Sequence, residues 1–441
     1  MKNYVQLIKE AIKAKNAKVC VIGIGYVGLP LAVENAKSGF NVLGIDRNID
    51  RVNMINAGQN YIQDVADEEL SMLVQDGVLS AADHFSDLSQ QDIIIICVPT
   101  PLNEYHNPDT SYVEDVATKI SKSLRKGQLI ILESTTYPGM TQEIILPLLE
   151  SSGLKTGEDF FLAFSPERVD PRNKIFSTKN TTKVVGGVTP QCLEVARYFY
   201  SSIISNVIPV SSTTVAEMTK IFENTYRAVN IALVNELMML CNKMNISVWE
   251  VIDAASTKPF GIQAFSPGPG VGGHCIPIDP FYLSWKARQF DYRMRFIELA
   301  GELNIQVNQY VVDTVVKALN KNGKAIINSN IFLLGVAYKK DVSDYRESPA
   351  LKIIQQLKIM GANLVFYDPF IKSMQNPDGS TIEIDWADLS EEQLKKSDCV
   401  LIITDHSDID YQTVVDKSNI VIDTRNATKK IKHGREKIIL I

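Results

Sequence analysis

Residues 18–46 constrain this chain more than any other stretch. Lys18-Val-Cys-Val-Ile22 is a continuous apolar run, and it leads straight into Gly23-Ile-Gly25-Tyr26-Val27-Gly28. A helical pattern follows from Leu29 to Ser38, then a second apolar run, Asn41–Ile45, ending in Asp46. Strand, glycine-rich turn, helix and strand in that order predict a βαβ unit whose turn cradles a dinucleotide. The glycines let the backbone approach a pyrophosphate, and the helix N-terminus attracts its charge. Asp46 lies eighteen residues past Gly28, close to where an acid would hold a ribose 2′-hydroxyl. A carboxylate there repels a 2′-phosphate, so NAD is expected over NADP; Arg47 and Arg51 weaken that preference slightly. The alternative is a structural glycine turn, which would need neither the acid nor the helix.

The alternation continues. Asp92–Val98 reads as a buried parallel strand ending in Pro99-Thr100-Pro101, and Gln128–Leu132 as another ending in Glu133-Ser134-Thr135-Thr136. Open α/β sheets bind ligands at strand carboxyl ends, so Pro99, Thr100 and the Ser134–Thr136 hydroxyls are candidate cofactor or water contacts. Phe160–Ser165 is a further strand, running into Pro166-Glu167-Arg168-Val169-Asp170. Three charges at a strand end suggest a site, with a solvated loop as the alternative. After strands near 183–186 and 206–210 the alternation stops. Val215–Asn245 and Met294–Asn320 are long helical patterns, so an all-helical middle with an oligomer-forming surface is expected. On the first of these, Lys220 and Asn224 stand at i, i+4 and share one face. A solvent-facing polar stripe would look the same.

The α/β pattern returns with Ile331–Leu334 and the turn Gly335-Val-Ala-Tyr-Lys339-Lys340-Asp341. Ser348 and Pro349 form an N-cap and first-turn pair, and strands follow at Asn363–Tyr367, Cys399–Ile403 and Ile420–Ile422. This is a second Rossmann-like unit with a degenerate glycine turn. Its Lys339, Arg346 and Arg425 lie past strand ends, where a phosphate could bind. The expected fold class is α/β: two Rossmann-like doubly wound domains, 1–210 and 323–441, joined by an all-helical domain, 211–322.

Between the long helices lies Pro267-Gly-Pro-Gly-Val-Gly272-Gly-His274-Cys275-Ile-Pro-Ile-Asp279-Pro280. Glycine and proline at this density exclude helix or sheet interior and predict an ordered loop. Cys275 sits in its middle. The other cysteines, at 20, 97, 192, 241 and 399, fall in strand or helix patterns as apolar fillers, and none has zinc-ligand spacing. A cysteine in an ordered loop is a candidate nucleophile, or else a small filler of a tight turn. A net charge of −6 without long like-charge runs argues against nucleic-acid binding. The N-terminal residues Tyr4, Leu7, Ile8, Ala11 and Ile12 fit an amphipathic helix rather than a signal peptide. Apolar runs such as Ile93–Val98 are too short to span a membrane, so no membrane partner and a cytoplasmic location are expected.

From about residue 16 onward the chain resembles the UDP-glucose/GDP-mannose dehydrogenase family. The motifs are Gly23–Gly28, Ser165-Pro-Glu-Arg-Val-Asp170, Glu217-Met-Thr-Lys-Ile-Phe-Glu-Asn224, Gly272–Asp279, Gly335–Asp341 and Arg346-Glu-Ser-Pro349. Lys258-Pro-Phe-Gly-Ile-Gln263 and Pro280-Phe-Tyr-Leu-Ser-Trp285 resemble the branch acting on UDP-N-acetylhexosamines, above all UDP-N-acetylglucosamine. One departure concerns residues 260–266, which lack the arginine that many relatives place before the Pro-Gly run.

The resemblance implies oxidation of a C6 hydroxymethyl to a carboxylate with two NAD⁺, supplying a uronic acid for surface polysaccharide, in a homodimer or larger homo-oligomer. It makes Cys275 the nucleophile that carries a thiohemiacetal and then a thioester. A free thiol has a pKa of about 8.5, so a cation such as Lys220 and the loop amides would favour the thiolate. Lys220 and Asn224 would stabilise oxyanions at C6. Asp279 and Thr135 match a water-holding pair, and Glu167 the residue serving thioester hydrolysis. Lys339 and Arg425, with Glu167, Arg168, Val169, Lys220, Asn224 and Gly272, match substrate contacts; Arg346 matches a cofactor contact. His274 is left as a loop or substrate contact, because adjacent side chains rarely face each other. UDP-N-acetylgalactosamine, UDP-N-acetylmannosamine and UDP-glucose are the alternative substrates. A two-electron hydroxyacid dehydrogenase and a non-enzymatic nucleotide-binding protein are the alternatives of other classes.

Overall fold

Strands buried on both faces read as near-continuous apolar runs, as sheets covered by helices require. The computed structural model describes residues 3–62, 64–103, 107–169, 175–273, 275–376 and 380–441. The chain divides into two compact units, one comprising Met1–Glu223 with Trp285–Tyr292, the other Asn224–Ser284 with Arg293–Ile441.

The first unit is built on β1 (Lys18–Ile22), β2 (Asn41–Ile45), β3 (Leu79–Ala82), β4 (Ile93–Ile96), β5 (Leu129–Leu132), β6 (Phe161–Phe164), β7 (Lys183–Gly187) and β8 (Val207–Val210). They stand in the order β3-β2-β1-β4-β5-β6-β7-β8. All pair in parallel except β6 with β7. The order reverses at β1, so a crevice opens beyond the carboxyl ends of β1 and β4, the position where such sheets take ligands. The Gly28–Lys37 helix packs on this sheet through Leu29, Leu31, Ala32, Val33 and Ala36. The N-terminal segment forms the expected amphipathic helix, Tyr4–Lys13, with Asn3 as N-cap and Ile8 and Ile12 buried.

The second unit carries β9 (Asn330–Leu334), β10 (Asn363–Tyr367), β11 (Asp385–Trp386), β12 (Cys399–Ile402), β13 (Val421–Asp423) and β14 (Ile438–Leu440), all parallel, in the order β11-β10-β9-β12-β13-β14. Ser348 caps the Pro349–Ile359 helix, its hydroxyl accepting from the Ala350 amide at 3.2 Å, with Pro349 in the first turn. The Arg295–Lys321 helix buries Val307, Val311, Val312 and Val315 in the core of this unit.

Of the Thr213–Met244 helix, residues 213–223 count with the first unit and 224–244 with the second. Val215, Met218, Phe222, Tyr226, Leu233, Leu240 and Met244 are exposed along it. Among the described residues, no helix is long and apolar enough to cross a membrane.

Four details depart from the sequence reading. β3 is a short edge strand of Leu-Ser-Ala-Ala, whose weak strand propensity is overridden by pairing with β2. The Val248–Ala255 helix had a readable signal, Ser247 capping the Glu250 amide at 3.3 Å. The Pro-Gly loop ends earlier than expected, because Asp279 and Pro280 open the Asp279–Arg288 helix. Cys97 falls one residue beyond β4 and is half-buried rather than inside the strand.

Candidate active site

In the first unit, Gly23 has φ 89°, and its amide donates to the Ile45 carbonyl at 2.7 Å. A Cβ on Gly28 would lie 1.9 Å from the Gly23 carbonyl oxygen, so only glycine lets the helix start against the turn. A Cβ on Gly25 would meet nothing nearer than the Arg51 Nη1 at 3.9 Å. The turn is closed by Gly28 and open at Gly25, which fits the approach of a pyrophosphate. Tyr26 and Val27 are exposed on its outer edge.

Asp46, just past β2, accepts from the Ile24 amide at 3.1 Å and the Asn48 amide at 2.9 Å. Arg51 stands 3.4 Å from it and lies over the Tyr61 ring. Arg47 is paired with Asp115 at 2.5 Å and lies over Tyr112. Both arginines therefore have carboxylate partners, which lowers their pull on a 2′-phosphate. At the ends of β4 and β5, Thr100 donates to the Thr135 carbonyl at 2.6 Å and Ser134 to the Val98 carbonyl at 2.7 Å. These hydroxyls tie the strand ends together. Thr135 is half-buried and Pro99 exposed beside them.

Beyond β5 and β6 lies a buried charged cluster. The Lys183 ammonium donates to Glu133 at 2.7 Å and to Glu167 at 3.2 Å, and the Tyr200 hydroxyl donates to the other Glu133 oxygen. The second Glu167 oxygen accepts from the Arg168 and Val169 amides, each at 2.7 Å. Lys220 donates to the Glu167 main-chain carbonyl at 2.6 Å, and Arg168 pairs with Glu223 at 2.6 Å. Burial alone would push the Glu167 carboxyl up. Lys183, the Val169 amide and Lys220 outweigh it and hold the group below its ordinary value. Burial pushes Glu133 up, Lys183 opposing. Glu217 accepts from the Gly139 and Thr141 amides at the start of the π-helical segment Thr141–Ile145.

In the second unit, the Asn224 side-chain amide donates to Asp279 at 2.5 Å, both residues being buried. The Cys275 carbonyl accepts from the Ile278 and Asp279 amides at 3.0 and 2.8 Å. That turn sets the half-buried Cys275 just before the N-terminus of the Asp279–Arg288 helix, the end that favours negative charge. The loop's glycines are demanded by close neighbours. A Cβ on Gly268 would lie 2.4 Å from the Arg425 guanidinium, and one on Gly272 would lie 2.9 Å from Tyr338, the Glu347 carbonyl and Pro349.

Arg425, two residues past β13, donates to the Ile403 carbonyl at 3.0 Å. Burial depresses it, and Asp405 and Asp423 partly restore it. Arg346 makes a two-pronged contact with Asp344 at 3.0 and 2.9 Å. Lys339 is half-buried on the same turn. The glycine turn here repeats the geometry of the first one. The Gly335 amide donates to the Tyr367 carbonyl at 2.8 Å, and Asp368 accepts from the Val336 and Ala337 amides at 2.9 and 3.2 Å. His406, fully buried, lies 3.0 Å from the same Asp368 oxygen. Its position opposite Asp368 leaves that acid without an exposed oxygen for a ribose. Asp170 and His274 lie outside the described residues.

Sequence reasoning singled out neither Lys183 nor Tyr200, and read Glu133 only as the end of a strand. Glu133 closes the apolar run ending at Leu132 and Lys183 opens the strand Lys183–Gly187, positions that give no local sign of a pairing.

Models of the UDP-glucose/GDP-mannose dehydrogenase family match along the chain: the NAD binding domain over residues 17–204, the central domain over 214–306 and the UDP binding domain over 332–430. The chain is 37% identical over 361 residues to a UDP-N-acetyl-D-glucosamine 6-dehydrogenase of Pseudomonas aeruginosa, covering 81% of this chain and 84% of that protein. It is 33% identical over 419 residues to a UDP-N-acetyl-D-mannosamine dehydrogenase of Pyrococcus horikoshii, covering 94% and 96%. A solved structure of the UDP-D-ManNAc dehydrogenase from Pyrococcus horikoshii superposes with a TM-score of 0.86 at 32% identity, over 96% of this chain and 98% of that one. With the NAD-binding turn, the helical middle and the UDP-binding unit all matched, the chain belongs to the UDP-glucose/GDP-mannose dehydrogenase family and is an NAD-dependent dehydrogenase of UDP-sugars.

Proposed function

We propose that the chain oxidises the C6 hydroxymethyl of a UDP-N-acetylhexosamine, UDP-N-acetylglucosamine first among them, to the uronate. The observation that carries the chemistry is the Cys275 turn, braced by the Asn224–Asp279 hydrogen bond at the helix start. NAD⁺, held by Gly23–Gly28 and Asp46, supplies the hydride acceptor for both oxidations. Cys275 attacks the C6 aldehyde as thiolate and carries the thiohemiacetal, then the thioester. Lys220 and Asn224 stabilise the oxyanions at C6. Asp279 and Thr135 hold the water, and Glu167 takes its proton during hydrolysis. Arg425, Lys339, Arg168, Val169 and Gly272 bind the UDP-sugar, and Arg346 contacts the cofactor. The division at residues 210 and 322 follows these roles.

The N-acetylglucosamine assignment rests on the 258–263 and 280–285 runs. Relatives split between N-acetylglucosamine and N-acetylmannosamine enzymes, so UDP-N-acetylmannosamine is the second reading. A panel of UDP-sugars with NAD⁺ separates them: UDP-N-acetylglucosamine should give the highest kcat/KM, with two NADH per uronate. A higher value for another sugar reassigns the substrate. One NADH per sugar removes the cysteine chemistry.

Three residue tests follow from the roles. Asp46→Ala is expected to raise the KM for NAD⁺ about tenfold or more, since a hydrogen bond to a charged group contributes about 1.5–3 kcal/mol. Equal use of NADP⁺ by the unmodified enzyme sinks that role. Arg425→Ala should raise the KM for the UDP-sugar about 10–100-fold and leave that for NAD⁺ unchanged; an unchanged sugar KM removes Arg425 from the substrate site. The apolar stripe on the Thr213–Met244 helix supports a homo-oligomer. Leu240→Glu should shift the sedimentation coefficient toward that of the monomer, and an unmodified chain that sediments as a monomer contradicts the assembly.

A further inference from the structure

The buried cluster beside Glu167 holds more charge than a structural ion pair needs. Lys183 and Glu133 are 5% and 0% exposed in their side chains. A buried pair of this kind adds little net stability over an apolar pair of equal volume. Here a second carboxylate shares the ammonium, giving two acids on one base. The geometry gives each contact a direction. Tyr200 and Lys183 take one Glu133 oxygen each, so Glu133 is satisfied and fixes where the Lys183 ammonium sits. A remaining Lys183 N–H then reaches Glu167. The Arg168 and Val169 amides pin the other Glu167 oxygen, so the carboxylate cannot rotate away.

We propose that Lys183, oriented by Glu133 and Tyr200, is a positioning residue that aims the Glu167 carboxylate and neutralises its charge for the hydrolytic step. This rests on the role given to Glu167 above. In that step a C–O bond forms from water to the acyl carbon and the C–S bond to Cys275 breaks. The water proton goes to Glu167, and the electron pair leaves on sulfur. A carboxylate that must accept a proton has to be ionised first, and burial works against that. Around Glu167 in this unit stand Lys183, Glu133 and Tyr200, Cys97 beyond β4, Lys220 and Glu223 of the long helix, and Arg168 of its own loop. Lys220 directs one N–H to the Glu167 main-chain carbonyl rather than to its carboxylate, and Arg168 pairs with Glu223. Lys183 is the cation that touches the Glu167 carboxylate among the described residues.

The test follows uronate release against pH, by rapid quench after NADH formation, with NAD⁺ and the UDP-sugar that the panel identifies. Four variants are needed: Lys183→Met, Glu133→Gln with Lys183→Met, Lys183→Arg and Glu167→Gln. Both neutral Lys183 variants should move the acidic limb of release up by about 1–3 pH units, the shift an opposite charge at this range produces. KM values for NAD⁺ and sugar should stay within about twofold, since Lys183 and Glu133 are themselves given no ligand contact. Lys183→Arg should restore the limb. The double variant removes the Glu133 charge that Lys183→Met alone would strand, leaving Glu167 with its two backbone amides, so it should melt higher than Lys183→Met. An unmoved limb in the folded double variant overturns the proposal. So does failure of both neutral variants to fold, which assigns Lys183 to the fold alone. Glu167→Gln separates the two levels. Unchanged uronate release there removes the role of Glu167, whereas lost release with an unmoved double-variant limb removes only that of Lys183.

Discussion

Cys275→Ala is expected to abolish uronate formation, a fall on the order of 10⁴-fold or more, the scale on which losing a covalent nucleophile acts. NAD⁺ binding should survive, because the Gly23–Gly28 turn lies in a different unit of the chain. Cys275→Ser is the more informative variant. The turn is held by the Cys275 carbonyl, which accepts from the Ile278 and Asp279 amides, so a serine fits without disturbing it. A serine hydroxyl still forms a hemiacetal, and the second oxidation turns that into an ester. An ester is a poorer acyl donor than a thioester, so release should be slow and the adduct should accumulate. Incubation with UDP-sugar and NAD⁺ should then raise the intact mass of the variant by the acylating sugar nucleotide. A fully active Cys275→Ser enzyme without adduct would return Cys275 to a filler of a tight turn.

Lys220→Met should lower kcat by about 10²–10³-fold with a small change in KM, the effect of losing one donor aimed at a developing oxyanion. The side chain also donates to the Glu167 carbonyl at 2.6 Å, so a structural loss has to be told apart from an electrostatic one. Lys220→Arg does this. It keeps the charge and a donor for the carbonyl, so the fold should hold, while the broader guanidinium misplaces the charge at C6. Partial recovery of kcat in Lys220→Arg with equal melting temperatures in both variants supports the oxyanion role. Unchanged kcat in Lys220→Met refutes it.

Much of the architecture was legible because it is local. β1, the glycine turn, its helix and β2 are each marked by apolar period and turn chemistry within a few residues, and they form where those marks lie. Ser348 and Pro349 likewise mark a helix start that involves only its own first turn. Edge strands such as β3 carry no such mark, because pairing with a neighbour, rather than their own side chains, makes them strands. The antiparallel entry of β7 is equally silent: an apolar run does not encode the direction of its partner.

For the site, the sequence by itself determined the nucleotide turn with Asp46, the isolated Cys275 loop and the i, i+4 relation of Lys220 to Asn224. Each depends on spacing along the chain. Only the tertiary structure decided what those groups touch. Lys183 is fifty residues from Glu133, and Tyr200 is sixty-seven from it; strand order beside β5 and the packing of one helix bring them together. Asp368 has the same place after its strand as Asp46, yet His406, thirty-eight residues on, closes over it. Both outcomes come from burial. Charged groups taken out of water must find partners within hydrogen-bond reach, and the fold, not the spacing, supplies them.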